Sequence, residues 1–232
     1  MIAPANANDI AARLGAVRER IQRACARAHR EVASVRLILA SKTQPPAALA
    51  TAYAAGARDF GENYVQEGVA KRAALADLHD ARWHMIGHLQ TNKARDAVAH
   101  FDLIHTLDDV RLANALARAR PSPPVPVLIE VNLGGEASKH GVNPDAAAAL
   151  IDSARGIVEI HGLMTIRPPS ENLAIARRWF AKLRELRDRL ALASGLALKE
   201  LSMGMTDDYE AAIEEGATIV RVGRAVFGER LR

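Results

Sequence analysis

The chain has 232 residues, of which 49% are hydrophobic and 25% are charged, and it carries a formal net charge of +4 at pH 7. These values fit an ordinary globular protein of one large domain or two small ones. Acidic residues are interspersed with the basic ones, so the small positive excess does not predict nucleic-acid binding.

Three further features of the chain concern its cellular compartment. Cys25 is the only cysteine, which excludes an intrachain disulfide and gives no sign of an oxidising environment. No apolar stretch is long enough to span a bilayer. Residues 1–6 lack the basic and apolar regions of a secretory signal. We therefore expect a cytoplasmic protein without membrane contact.

The spacing of apolar residues predicts the secondary structure in chain order. Ile10, Leu14, Val17 and Ile21 lie at helical spacing and predict an N-terminal helix over residues 9–29. From residue 35 onward, short apolar runs alternate with alanine-rich helical patterns. The predicted strands lie near residues 37–41, 57–60, 82–86, 102–105, 126–132, 157–163, 198–202 and 218–222. The predicted helices between them lie near residues 46–55, 63–78, 89–98, 109–119, 144–154, 171–193 and 208–215.

This alternation of strands and helices predicts the fold class. Strands that alternate with helices pair in parallel, because parallel neighbours need a crossover connection. Eight such units in 232 residues indicate an α/β fold, a single (β/α)8 TIM-type barrel with an extra N-terminal helix, as one domain over residues 1–232. An open doubly wound sheet is the alternative, although no GxGxxG follows the first strand. The proline-rich residues 121–126 are interpreted as a loop.

Lys42 is the strongest candidate for chemistry in the sequence. It ends the first apolar strand and precedes Pro45 and Pro46, which places its amine at the rim of a core. Partial burial favours the neutral, nucleophilic form of a lysine amine, so Lys42 is a candidate for imine formation. The simpler alternative is a lysine whose amine extends from the strand end into water.

Two segments near the C-terminus have the composition of a phosphate site. After the seventh strand, Ser202 and Thr206 offer hydroxyls, and Gly204 would let backbone amides approach an anion. After the eighth strand, Arg221 is followed by Gly223. In barrels of this kind the loops after these two strands often hold phosphate, facing the first strand across the barrel mouth. The alternative is that these residues only cap helices.

An imine-forming lysine together with a phosphate site predicts pyridoxal 5'-phosphate (PLP) as the ligand. The chain also resembles the pyridoxal-phosphate homeostasis proteins, whose barrel is similar to the N-terminal domain of bacterial alanine racemase. The matching segments include FGENYVQE and WHMIGHLQTNK, which are long and specific. In order along the chain, the resemblance covers residues 40–43, 60–67, 83–93, 162–165, 201–208 and 220–223.

The resemblance implies a role for each residue of a cofactor site. Lys42 would hold PLP as an internal aldimine, Arg221 would face the pyridine nitrogen, and Asn63 would lie near the ring. Met164, in a matched segment at the end of the sixth strand, is a further expected contact. The residues around the phosphate would be Ser202, Gly204, Thr206 and Gly223.

An arginine at the pyridine nitrogen bears on the expected function. Because the guanidinium stays protonated, it disfavours a second positive charge on the ring, which is then a weak electron sink. The chain ends soon after the last strand, and we expect no room for the second β-domain that alanine racemase uses. We therefore expect a non-catalytic protein of PLP homeostasis that stores, buffers or delivers the cofactor.

Two other functions remain open from the sequence. One is a PLP-dependent racemase or lyase acting on small amino acids, and the other is a barrel enzyme for a phosphorylated sugar. For the homeostasis protein, PLP-dependent apo-enzymes are the expected partners and a monomer is the expected state. Lys93 is a hypothetical second lysine for binding or releasing the cofactor.

Several polar residues receive a structural interpretation. His84 and His88 are four residues apart, but His84 falls within a strand, Gly87 breaks the helical geometry and no third ligand has suitable spacing, so we predict no metal site. Tyr64 is expected to pack on the helix after the second strand. Glu62 and Asp108 are expected to cap helices or to form surface ion pairs.

Overall fold

The computed structural model describes residues 7–120, 122–136 and 139–228. In this part of the chain eight parallel strands pair in sequence order, and the last pairs with the first to close a barrel. The expectations for residues 1–6 and for Pro121 concern positions outside the described residues. The strands are β1 (Arg36–Ala40), β2 (Asp59–Glu62), β3 (Arg82–Met85), β4 (Leu103–Leu107), β5 (Pro126–Glu130), β6 (Glu159–Met164), β7 (Glu200–Ser202) and β8 (Ile219–Val222).

A helix follows each strand, which confirms the predicted (β/α)8 barrel and its extra N-terminal helix. Short 3-10 turns precede some of these helices. None of the helices in the described ranges is long and apolar enough to cross a membrane. The helices are α1 (Ala7–Arg27), α2 (Pro46–Ala54), α3 (Val65–Ala74), α4 (Ala94–His100), α5 (Val110–Ala119), α6 (Ala147–Ala154), α7 (Leu173–Ser194), α8 (Tyr209–Glu214) and α9 (Arg224–Phe227).

The N-terminal helix α1 packs against α2, α8 and α9, where β8 meets β1. Its apolar side chains Ile10, Leu14, Val17 and Ile21 are all buried, as their spacing predicts. Full burial of an aliphatic side chain stabilises a fold by about 1.5–3 kcal/mol. The helix therefore covers the barrel at the point where its first and last strands join.

Two apolar clusters divide the core. The larger one contains most of the buried apolar side chains. The smaller one consists of Ile38, Leu103, Leu128, Met164 and Ile219. These five residues come from β1, β4, β5, β6 and β8, which lie on different sides of the barrel, so they meet in its interior.

The observed elements differ from the predicted ones mainly at their ends. The second strand runs over Asp59–Glu62, whereas residues 57–60 were predicted. The prediction stopped early because the apolar pattern gives no reason to bury the charged Glu62 at a strand end. The predicted helix 89–98 is divided into a 3-10 turn, Thr91–Lys93, and helix α4.

Gly162 in β6 provides a test of the barrel register. A Cβ atom at this position would lie 1.9 Å from the carbonyl oxygen of Glu200 in β7, so Gly162→Ala forces the two strands apart. We expect a loss of at least about 1–3 kcal/mol in the free energy of unfolding, measured by urea denaturation.

Gly15→Ala is the matched control, because a Cβ atom there meets nothing within 4 Å in helix α1. It should stabilise the protein by about 0.5–1 kcal/mol. Equal effects of the two substitutions would contradict the proposed strand contact.

Candidate functional site

Lys42 lies in the turn that follows β1, at the carboxyl end of the barrel, and its side chain is half-buried. Strand β1 is hydrogen-bonded to β8, so this turn lies beside the loop after β8 rather than across the barrel mouth from it. A Cβ atom at Gly223 would be 2.9 Å from the carbonyl oxygen of Ala40. The glycine therefore permits the close approach of the two loops.

A buried group of charges holds the turn that carries Lys42. The Lys71 ammonium donates hydrogen bonds to the Ser41 carbonyl oxygen at 2.6 Å, to Glu62 Oε1 at 2.8 Å and to Glu67 Oε1 at 2.7 Å. The Ser41 hydroxyl donates to Glu62 Oε1 at 2.6 Å, and the Thr43 amide donates to Glu67 Oε1 at 2.5 Å. The residues on both sides of Lys42 are thus fixed by one network.

This network corrects the interpretation of Glu62 as a helix cap or surface pair. Glu62 is fully buried, and burial raises the pKa of its carboxyl while the bonds from Lys71 and Ser41 oppose that effect. Lys71 and Glu67 were not singled out from the sequence. Their spacing of four residues within helix α3 is the signal that could have paired them.

Arg221 is a buried cation near the end of β8, with 5% of its surface exposed. Its guanidinium donates to Ser202 Oγ at 2.5 Å and to the Thr165 carbonyl oxygen at 2.9 Å. Burial lowers the pKa of Arg221 to about 10, and the charges of Glu130 and Asp208 oppose this shift. The side chain is therefore a cation at neutral pH.

A chain of hydrogen bonds continues from Arg221 through the barrel interior. Ser202 Oγ lies 2.9 Å from His105 Nδ1, and His105 Nε2 lies 3.1 Å from His84 Nδ1. His84 Nε2 lies 3.0 Å from Asp59 Oδ1 in β2. If each imidazole carries one proton, Ser202 donates to His105, His105 to His84, and His84 to Asp59.

The pKa shifts of the two histidines favour one proton on each imidazole. Burial lowers the pKa of His84, and it lowers the pKa of His105 well below its usual value with help from the charge of Arg221. Both imidazoles are therefore neutral at neutral pH. The hydroxyl of Ser202 is engaged by Arg221 and His105, which does not support a phosphate contact for that hydroxyl.

The loop after β7 contains the other predicted phosphate residues. Gly204 has a φ of +90°, and a Cβ atom there would lie 2.5 Å from the Ala212 side chain. Asp208 accepts from the Met205 amide at 2.7 Å and from Arg167 Nε at 2.5 Å, which fixes the loop. Thr206 is half-buried within it. A phosphate contact from Gly204, Thr206 or Gly223 stays a prediction.

Glu130 is a buried carboxyl that the sequence did not single out. It ends β5 with 6% of its surface exposed, and its Oε2 atom has no hydrogen-bond partner among the described residues. Burial and the nearby charge of Asp108 raise its pKa to about 7, while the charge of Arg221 lowers it. The sequence signal that could have identified Glu130 is a carboxyl group at the end of an apolar strand.

A cavity of about 390 Å³ opens beside Asn63 at the mouth of the barrel. Tyr64 and Lys93 also line it, whereas Lys42 and Arg221 do not. Tyr64 is 64% exposed, so the expectation that it packs on helix α3 is wrong. Met164 belongs to the interior cluster, and its cofactor contact likewise stays a prediction.

The chain is similar to known proteins over nearly its whole length. Residues 12–231 match the family model of the alanine racemase N-terminal domain. The pyridoxal phosphate homeostasis protein of Aquifex aeolicus is 48% identical over 222 residues, covering 94% of this chain and 97% of that protein. The protein of the same name from Pseudomonas aeruginosa is 46% identical over 225 residues, covering 95% and 96%.

A solved structure is similar as well. PipY of Synechococcus elongatus PCC7942, determined with PLP bound, superposes with a TM-score of 0.84 at 42% sequence identity. The match covers 94% of this chain and 100% of that one.

Lys71→Met tests the buried charge network. The substitution leaves Glu62 buried without its cation, which costs about 3–5 kcal/mol of the free energy of unfolding at pH 7. The exposed ion pair of Arg111 with Asp109 supplies the control, since Arg111→Ala should leave urea denaturation unchanged. Comparable stability of both variants would refute the role of Lys71.

Glu130→Gln tests the titration of the buried carboxyl. Because its pKa rises from 4.5 to about 7 on folding, the folded chain binds this proton more tightly, and wild-type stability falls as the pH rises through that window. Relative to wild type, the variant should gain about 2–3 kcal/mol between pH 5 and pH 8. Urea denaturation at both pH values, with the exposed Glu31→Gln as control, measures this difference. A pH-independent difference would count against a raised pKa.

Proposed function

The chain belongs to the family of pyridoxal phosphate homeostasis proteins, built on the alanine racemase N-terminal domain, and from that membership we propose that it binds PLP at the carboxyl end of its barrel. The observation that carries the proposal is the half-buried Lys42 in a fixed turn beside the Gly223 loop. Bound PLP supplies an aldehyde that condenses with a lysine amine. PipY, with PLP bound in its solved structure, supports the same ligand here.

The residues of the site fit this group. The turn of Lys42 is held on both sides by Lys71 and Glu67. The Lys42 amine can therefore meet the PLP aldehyde without a change in the backbone of this turn. Gly204 and Gly223 keep side chains out of the loops after β7 and β8, where barrels commonly hold phosphate. Asn63, Thr206 and Met164 complete the proposed contacts, and Ser202 stays a predicted neighbour of the phosphate although its hydroxyl already bonds Arg221 and His105.

Arg221 supports a carrier rather than a catalyst. A guanidinium that stays charged beside the pyridine nitrogen would keep that nitrogen unprotonated and would weaken the ring as an electron sink. His105 and His84 continue the hydrogen-bond chain from Arg221 and are neutral. Neither is therefore in the imidazolium form that could donate a proton. We propose that the protein stores, buffers or delivers PLP and is not an enzyme.

We further propose a domain organisation, a cellular compartment, an oligomeric state and partners for this function. Residues 1–232 would form one PLP-binding domain, acting as a cytoplasmic monomer. A carrier of this kind would pass PLP to PLP-dependent apo-enzymes. Lys93 lines the cavity at Asn63 and is a candidate for assisting entry or release. These proposals rest on the sequence and on the names of the relatives.

The experiment is PLP binding by wild type and by Lys42→Ala. Wild type should acquire a near-visible absorbance band, and borohydride should then leave a pyridoxyl group on the peptide that contains Lys42. Lys42→Ala should lose both signals because no amine remains at that position. Lys182→Ala is the matched control, since Lys182 is an exposed lysine on helix α7.

The same samples separate the competing functions. A carrier forms no D-enantiomer from L-alanine beyond the rate of free PLP. Racemisation that depends on Lys42 would favour the racemase, and the carrier proposal would then be abandoned. A protein that stays colourless with added PLP would contradict PLP binding and would favour a ligand such as a phosphorylated sugar.

A further inference from the structure

Three metal-ligating side chains meet at the barrel mouth although they are far apart in the sequence. His88 follows β3, Asp108 follows β4, and His140 lies in the loop after β5. The imidazole rings of His88 and His140 stack with their centroids 3.7 Å apart and their planes inclined by 8°. His88 Nδ1 lies 3.6 Å from Asp108 Oδ2. One ligand atom from each residue lies within 4.8 Å of the other two.

The spacing of histidines in the sequence could not reveal this group. His84, four residues before His88, is buried inside the barrel and bonded to Asp59 and His105. His88 points instead to the barrel mouth, where closure of the strands brings it to His140. Asp108 does not cap helix α5, because Asp109 holds that position, and its contact with His88 fits the ion pair that was the other expectation.

We propose that His88, Asp108 and His140 bind a divalent first-row transition metal ion. Two imidazole nitrogens and one carboxylate oxygen form a ligand set that suits Zn²⁺ or Fe²⁺ and that disfavours Mg²⁺ and Ca²⁺, which prefer oxygen. Ligand atoms around a tetrahedral zinc ion lie about 3.4 Å apart, given bonds of about 2.1 Å. In the stacked arrangement the nitrogen lone pairs of the two imidazoles lie in parallel planes, so metal binding requires one of these exposed rings to rotate toward the ion.

Three protein ligands leave at least one coordination position open. Both histidines line the cavity of about 390 Å³ that also reaches Asn63, so the open position can meet a molecule bound there. Lys93 lines the same cavity, and Arg111 lines a neighbouring one with Asp108. These cations oppose the binding of a metal ion, while a carboxylate of a bound molecule would offset them. The proposal does not depend on PLP binding.

The test is titration of the full-length, tag-free protein with Zn²⁺ alone, after treatment with a chelator and with no PLP added. We expect one ion per chain by isothermal titration calorimetry. His88→Ala and His140→Ala should each weaken binding by more than about tenfold, because even residues that only orient a ligand change metal affinity by that factor. Asp108→Asn should weaken it in the same direction.

His161→Ala is the matched control, because His161 pairs with Glu159 at 2.9 Å outside the group of three. It should leave the affinity unchanged. A second readout is the electron paramagnetic resonance spectrum of bound Cu²⁺, which should show coupling to two imidazole nitrogens in wild type and to one in each histidine variant. Binding that is absent, or that His88→Ala and His140→Ala leave intact, overturns the proposal.

Discussion

A guanidinium cation held inside an eight-stranded barrel is the constraint on which the rest of the site depends. Burying an ion without partners costs several kcal/mol, so Arg221 requires acceptors that the barrel interior must supply. The Thr165 carbonyl oxygen and the Ser202 hydroxyl meet this requirement. The hydroxyl in turn needs a partner, and the chain through His105 and His84 ends at the carboxylate of Asp59. One buried charge thereby determines much of the polar interior.

The barrel closure joins this cation to the proposed anchor of the cofactor. Arg221 lies near the end of β8 and Lys42 follows β1, and these neighbouring strands lie at opposite ends of the sequence. Lys71 in helix α3 holds the turn of Lys42 through the Ser41 carbonyl oxygen, while Arg221 is held inside the barrel by Ser202. The two functional groups are therefore fixed by separate networks. In the proposed site, the first network would position the amine that binds PLP and the second would position the guanidinium that faces its ring.

The sequence predicted the features that depend on local pattern. Eight apolar runs separated by helical periodicity were sufficient for the barrel, and the spacing of Ile10, Leu14, Val17 and Ile21 predicted the buried face of α1. The position of Lys42 at a strand end followed from the same pattern. Features that depend on packing between elements were missed. Glu62 was expected to cap a helix or to form a surface ion pair, because the packing of β2 against α3, which buries it beside Lys71, is not visible in the sequence pattern. Likewise, no spacing rule links His88 with His140.

We propose that the charged Arg221 keeps the pyridine nitrogen of bound PLP unprotonated, so that the ring is a weak electron sink. The most direct measurement is the ¹⁵N chemical shift of PLP labelled at its pyridine nitrogen, recorded on the holo-protein across neutral pH. We expect the shift of an unprotonated pyridine throughout this range. A pyridinium shift at neutral pH would contradict it, because the ring would then be a strong electron sink.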